Sequence, residues 1–95
     1  MGLDIVVARS GACPLTALLE RLVAAGLSCA VIMVDNALHA PHLPVQDDWR
    51  DVRLKTPAGT LALKRRPDGI AVVVFGNADA ALLAAQRTVA AAIST

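Results

Sequence analysis

Cys13 is the side chain with the clearest chemical rationale in this chain. It stands in Gly11-Ala12-Cys13-Pro14-Leu15-Thr16, where an apolar run over residues 3–8 gives way to an amphipathic stretch beginning at Pro14. Proline suits the first position of a helix, because its φ is already helical and its missing N–H would find no intrahelical partner there. The spacing therefore predicts Cys13 as the N-cap. A thiol in that place meets unpaired backbone N–H groups and the positive end of the helix dipole, and both favour thiolate over thiol. The chemistry expected is nucleophilic: attack on a disulfide, with Thr16 able to donate a hydrogen bond to the sulfur. Set against this, a free cysteine is commonly a small core residue that merely caps a helix. Cys29 lies inside an apolar run and is expected in the core.

Two other groups of residues have types that do chemistry. His39-x-x-His42, with Asp35, Asp47 and Asp48 near in sequence, has metal-ligating side chains. A proline-broken loop gives that spacing no fixed geometry, so solvated histidines are expected and no metal is assigned. Arg50, Arg53, Lys55, Lys64, Arg65 and Arg66 are concentrated in one part of the chain and suit a phosphate or carboxylate partner. The expected case is nevertheless a solvated face, since Asp47, Asp48 and Asp51 are interleaved with them.

These residues need elements to position them. Residues 3–8 are β-branched and almost continuously apolar, as in a strand buried on both faces. Over 14–25, Leu15, Leu18, Leu19, Leu22 and Val23 keep the spacing of one helical face, with Glu20 and Arg21 opposite and Gly26 as the stop. Residues 27–34 read as a second strand, closed by Asp35-Asn36, so strand, helix and strand predict a right-handed βαβ unit with parallel strands. From 36 to 56 the prolines predict loop and at most one short helix, opened by Pro44, with Trp49 and Val52 on one side. Pro67-Asp68-Gly69 is a turn between strands over 60–64 and 70–75, an antiparallel hairpin. Gly76-Asn77 then caps a last helix over about 78–93, with Leu82, Val89 and Ile93 inward and Gln86 and Arg87 outward, and capping also suffices to explain Asp79.

Composition narrows the functional classes. Ninety-five residues make one domain, 56% apolar but only 2% aromatic, so Ala, Val, Leu and Ile must build the core. With Trp49 and Phe75 as its aromatics and a net charge of +1, the chain has neither the stacking platforms nor the field of a nucleic-acid binder. No apolar stretch reaches the length of a membrane span, and Asp4 stands where a signal peptide carries positive charge. The expectation is a cytoplasmic protein with reduced thiols.

The order of these features resembles the thioredoxin-like fold, its glutaredoxin branch in particular. The resemblance spans nearly the whole chain, from a strand running into Cys13-Pro14-x-Thr16, through Thr56-Pro57 before a hairpin, to Gly76-x-x-Asp79 opening the last helix. It implies an α/β domain with a mixed four-stranded sheet, a βαβ unit followed by ββα, with helices packed on it. It further implies Cys13 as nucleophile, Pro57 as a cis-proline facing it, and a glutathione groove to which Arg9, Thr56, Asn77 and Asp79 contribute. Because the second cysteine of the family's motif is replaced by Thr16, the activity implied is that of a monothiol redox protein. Glutathione would be its co-substrate, and a protein thiol or disulfide its partner. The reading from another class is a non-catalytic binding or dimerisation module, of thioredoxin-like or of roadblock-like or profilin-like type. Ala80, Ala81, Ala84 and Ala85 would let the sheet or a second copy approach the last helix closely.

Overall fold

The computed structural model describes residues 4–8, 14–40, 45–46, 48–76 and 78–94. Strand β1 (Asp4–Ala8) is followed by helix α1 (Leu15–Ala24) and then by five strands. These are β2 (Ala30–Val34), β3 (Ala37–Leu38), β4 (Asp51–Thr56), β5 (Gly59–Arg66) and β6 (Gly69–Val74), and helix α2 (Ala80–Ser94) follows them. The strands form one six-stranded sheet in the order β1-β6-β5-β4-β2-β3, with every neighbouring pair antiparallel.

Alternation decides which side of the sheet is buried. Val52 and Leu54 of β4, Leu61 and Leu63 of β5, and Ile70, Val72 and Val74 of β6 point to one face and form the core with Leu15, Leu18 and Leu22 of α1 and Leu82, Val89 and Ile93 of α2. The intervening residues point to the opposite face, where the described residues place no helix. An antiparallel sheet tolerates this arrangement, since its solvated face needs only long polar side chains over small ones. Near the middle of that face, Ala62, Ala71 and Val73 form a small buried cluster of their own.

The thioredoxin-like expectation is overturned by this sheet. It has six strands and no parallel neighbours, whereas the expected sheet was mixed and four-stranded. Strands β1 and β2 do run in the same direction, but β6, β5 and β4 stand between them, so they form no βαβ unit. Much of the difference lies in β4. The stretch assigned to loop or short helix is a strand, and it fills the place beside β2 that β1 was expected to take. Trp49 and Val52, expected on one side of a short helix, are both buried from a turn and a strand instead. Pro44, the proposed start of that helix, lies outside the described residues.

The helices match their predicted spans with local corrections. The flanking position at the start of α1 is Pro14 itself, with φ −62° and ψ 122°, one residue later than the thiol-capped reading required. Val23 is 63% exposed, outside the apolar face to which its spacing assigned it. Gln86 was expected outward and is instead buried, its Nε2 donating to the Val72 carbonyl of β6 at 2.9 Å. At the start of α2, Asp79 caps as predicted: the Leu82 N–H donates to Asp79 Oδ1 at 2.9 Å.

Strands β2 and β3 are joined through Asp35 and Asn36, both with positive φ (50° and 68°), the backbone a two-residue hairpin prefers and Asx residues tolerate. The Asp35 carboxylate also fastens the start of β4, accepting the Arg50 and Asp51 N–H groups at 2.9 Å each. The hydrogen bonds from Asp51 and then Arg50 hold its pKa below the ordinary carboxylate value. A depressed folded-state pKa contributes stability that is present above the unfolded value and lost as pH falls through the folded one. Asp35→Asn, which keeps an acceptor but not the charge, should therefore be less stable than the parent at neutral pH. The difference should close as urea midpoints are taken down below about pH 4, the unfolded carboxylate range.

Candidate functional site

The residues singled out for redox chemistry fall in several places. Arg9, Cys13 and Asn77 lie outside the described residues, as do His42 and Asp47. Thr16 is exposed in the first turn of α1. Thr56 ends β4, where its buried hydroxyl donates to the Gly59 carbonyl at 2.8 Å and accepts the Ala58 N–H at 3.1 Å. Pro57 is exposed in that turn with a trans peptide bond, against the cis bond implied by resemblance. Leu82 lies in the first turn of α2, and its side chain reaches within 3.5 Å of where a Cβ on Gly59 would stand, so Thr56, Pro57 and Asp79 belong to one end of the sheet. The end of β1, from which the chain leads toward Cys13, is at the other end: Ala8 pairs with Gly69, and Gly69 with Arg66. The eight residues of β5 separate the two ends, a span of roughly 23 Å at the rise of an extended strand.

Cys29 is half-buried beside Ser28, Lys55, Thr56 and Pro57, around a shallow depression of about 270 Å³. Burial pushes its thiol pKa up, the opposite of what a nucleophilic thiolate needs. A wider groove of about 590 Å³ lies between the helices, lined by Arg21, Ala24, Ala25, Thr88, Ala91 and Ala92. No group of three or more His, Cys, Asp or Glu side chains able to hold a metal is found among the described residues.

Five of the six clustered cations lie in β4 and β5 and are divided by the pleat. Arg65 shares the parity of Leu61 and Leu63, and its guanidinium lies 4.6 Å from the centre of the buried Trp49 ring. Arg53, Lys55, Lys64 and Arg66 take the other parity and project from the open face. There the strand register sets out rows. Lys55 stands opposite Thr60, Arg53 opposite Ala62, Lys64 opposite Asp51, and Arg66 opposite Gly69. Each row holds one cation and no cation faces another, which avoids the cost of like charges side by side on adjacent strands.

Two of these side chains reach across a neighbouring strand. Arg53 on β4 brings its guanidinium 5.2 Å from the centre of the Phe75 ring just beyond β6, spanning β5. Arg66 on β5 reaches Asp4 on β1 at 3.4 Å, spanning β6. Their aliphatic stems shelter the alanine floor, which explains how Ala62 and Ala71 are fully buried on a face with no helix over it. Phe75 remains 43% exposed and Val6 42% exposed beside this canopy. The face can offer cationic heads, methylene stems and one aromatic edge. Phe75 was not singled out from the sequence as a site residue. Its signal was the period-2 alternation of Asp51-Val52-Arg53-Leu54-Lys55-Thr56, which makes β4 a strand and puts Arg53 on the same face as Phe75.

Among the described residues, no helix is long and apolar enough to cross a membrane. No family model, curated protein or solved structure matches this chain.

Proposed function

We propose that this chain is a non-catalytic binding domain for a protein partner, acting through the open face of its sheet. The observation that carries the reading is the Arg53–Phe75 pair, a guanidinium on a half-exposed aromatic ring, at a face of the sheet over which the described residues place no helix. A ring and a guanidinium held against each other supply apolar area and charge at low entropic cost, and side chains of both types are enriched at protein interfaces. The competing monothiol reading has less support. The fold that gave Cys13 a cis-proline and a glutathione groove is not this fold, and Cys29 is a thiol whose burial disfavours the thiolate.

The test is a random-peptide display selection on the parent alone, with the enriched peptides then measured on Phe75→Ala and on Arg53→Glu. Both positions are solvent-facing, so the variants should keep the parent's circular dichroism and urea midpoint to within about 1 kcal/mol. Enriched peptides should lose at least about tenfold in affinity, some 1.4 kcal/mol, on either variant. Peptides that bind both variants as well as the parent would place binding elsewhere and sink the reading.

A further inference from the structure

We infer that the partner segment recognised on the open face is an extended, acidic stretch of polypeptide with carboxylates at alternate positions. This rests on the reading of the domain as a binding module and names the chemistry of what it binds. Lys55, Arg53, Lys64 and Arg66 occupy successive rows across β4 and β5, so each stands one row further along the strand axis than the last. Same-face residues on a strand repeat at about 6.6 Å, so the backbone positions of the four cations form a stripe of that period, with the Arg53 head turned toward Phe75 and the Arg66 head toward Asp4. An extended polypeptide laid along the stripe presents every second side chain at the same spacing. Glutamates or aspartates at alternate positions therefore match the spacing of these positions, which the long Arg53 and Arg66 side chains reach by turning back from Phe75 and Asp4.

Charge complementarity favours this occupant over the others the face could meet. Among the described residues, the face carries Arg53, Lys55, Lys64 and Arg66 against Asp4 and Asp51, an excess of two positive charges (4 − 2). A second copy of the chain would bring the same excess against itself. A single-stranded nucleic acid also places a charge at each unit, but it draws much of its affinity from stacking on aromatic platforms. Here the one aromatic side chain at the face is Phe75, and Arg53 already lies over it. Asp51 beside Lys64 and Asp4 beyond Val73 stand within the face, where a polyphosphate has no neutral position to place against them. An acidic peptide can instead carry an uncharged side chain at an inward position. Arg66 is the exchangeable end of the stripe, since its ion pair with Asp4 is exposed and so contributes little by itself.

The experiment is fluorescence anisotropy of labelled peptides of about twelve residues, long enough at the rise of a strand to cover the stripe. One alternates Glu and Thr, and a second has the same composition with all the Glu residues in one block. A thymidine oligonucleotide of equal charge is the third probe. The alternating peptide should bind at least about fivefold more tightly than the blocked one, and its affinity should fall with added salt. The double variant Arg53→Glu/Lys64→Glu should weaken it by at least about thirtyfold, while Arg21→Glu on the helical side leaves it unchanged. Equal binding of the two peptides, tighter binding of the oligonucleotide, or no binding of the alternating peptide would each overturn the inference. These failures differ from failure of the binding reading, which shows as display-selected peptides, acidic or not, that are indifferent to Phe75 and Arg53.

Discussion

Gly69→Ala is expected to remove a large share of the stability of the domain. Gly69 opens β6 with φ +155°, a conformation that L side chains rarely adopt, and it pairs with Ala8 on one side and Arg66 on the other. A Cβ built there would lie 2.0 Å from the Val7 carbonyl oxygen and 2.8 Å from its carbonyl carbon. Both are backbone atoms of β1, so the clash cannot be relieved by a side-chain rotation. Relief requires β1 to separate from β6, and with it Ile5 and Val7 from the core they pack against. Backbone strain of roughly 1–3 kcal/mol and overpacking of a similar size give a loss on the order of 4 kcal/mol. A small domain has only about 5–15 kcal/mol in total. The fluorescence of Trp49, followed through urea unfolding, should show the midpoint collapse. Gly26→Ala is the matched control: its φ is +85°, but nothing lies within 4 Å of the added Cβ, so only the left-handed backbone cost of about 1–2 kcal/mol applies. Equal midpoints for the two variants would show that the β1–β6 approach is looser than this register implies.

Trp49→Ala is the second large effect. Trp49 is 1% exposed and the largest fully buried side chain among the described residues. It anchors the turn that leads into β4, with its ring under the Arg65 guanidinium. Because the core is otherwise aliphatic and alanine-rich, no neighbouring ring can move in to fill the space. The expected cost is about 3–5 kcal/mol, the range for removing a buried aromatic side chain. Arg65→Ala should cost only about 0.5–1 kcal/mol, because the cation lies at the margin of the core and its attraction to the ring is partly screened. Circular dichroism is the readout for these two, since the fluorophore itself is lost in the first. A Trp49→Ala cost no larger than that of Arg65→Ala would mean that β4 is not held by this ring.

Much of the secondary structure was legible. The apolar runs of β1, β2 and β6, the 3.6-residue periodicity of α1, the Pro67-Asp68-Gly69 turn and the Asp79 cap are each determined by near neighbours in the chain. What the sequence hid was pairing. β1 and β2 have compatible patterns, and a helix lies between them, which is also what a parallel unit looks like. Only the register shows β1 against β6. β4 was hidden by its charge. Asp51, Arg53 and Lys55 read as loop beside the prolines, although their alternation with Val52, Leu54 and Thr56 is that of a half-solvated strand. Gln86 was misplaced because its amide is polar, and only the structure shows the β6 carbonyl that it meets.

The same reasoning explains which part of the candidate site could be seen in advance. The concentration of cations between residues 50 and 66 was visible. The division of that group between two faces was not visible without β4. Arg65 serves the Trp49 side, whereas Arg53, Lys55, Lys64 and Arg66 line up on the open one. The reading of Cys13 came from a helix start placed one residue early and from a resemblance to a fold with a different sheet.

The most direct measurement of the central claim is a titration of isotope-labelled protein with the alternating Glu–Thr peptide, followed by backbone amide chemical shifts. The largest changes should fall on the open-face residues Arg53, Lys55, Ala62, Lys64, Val73 and Phe75, with Ala24, Thr88 and Ala91 of the helical side unmoved. Shifts concentrated on the helices, or none at saturating peptide, would contradict the assignment of this face as the binding surface.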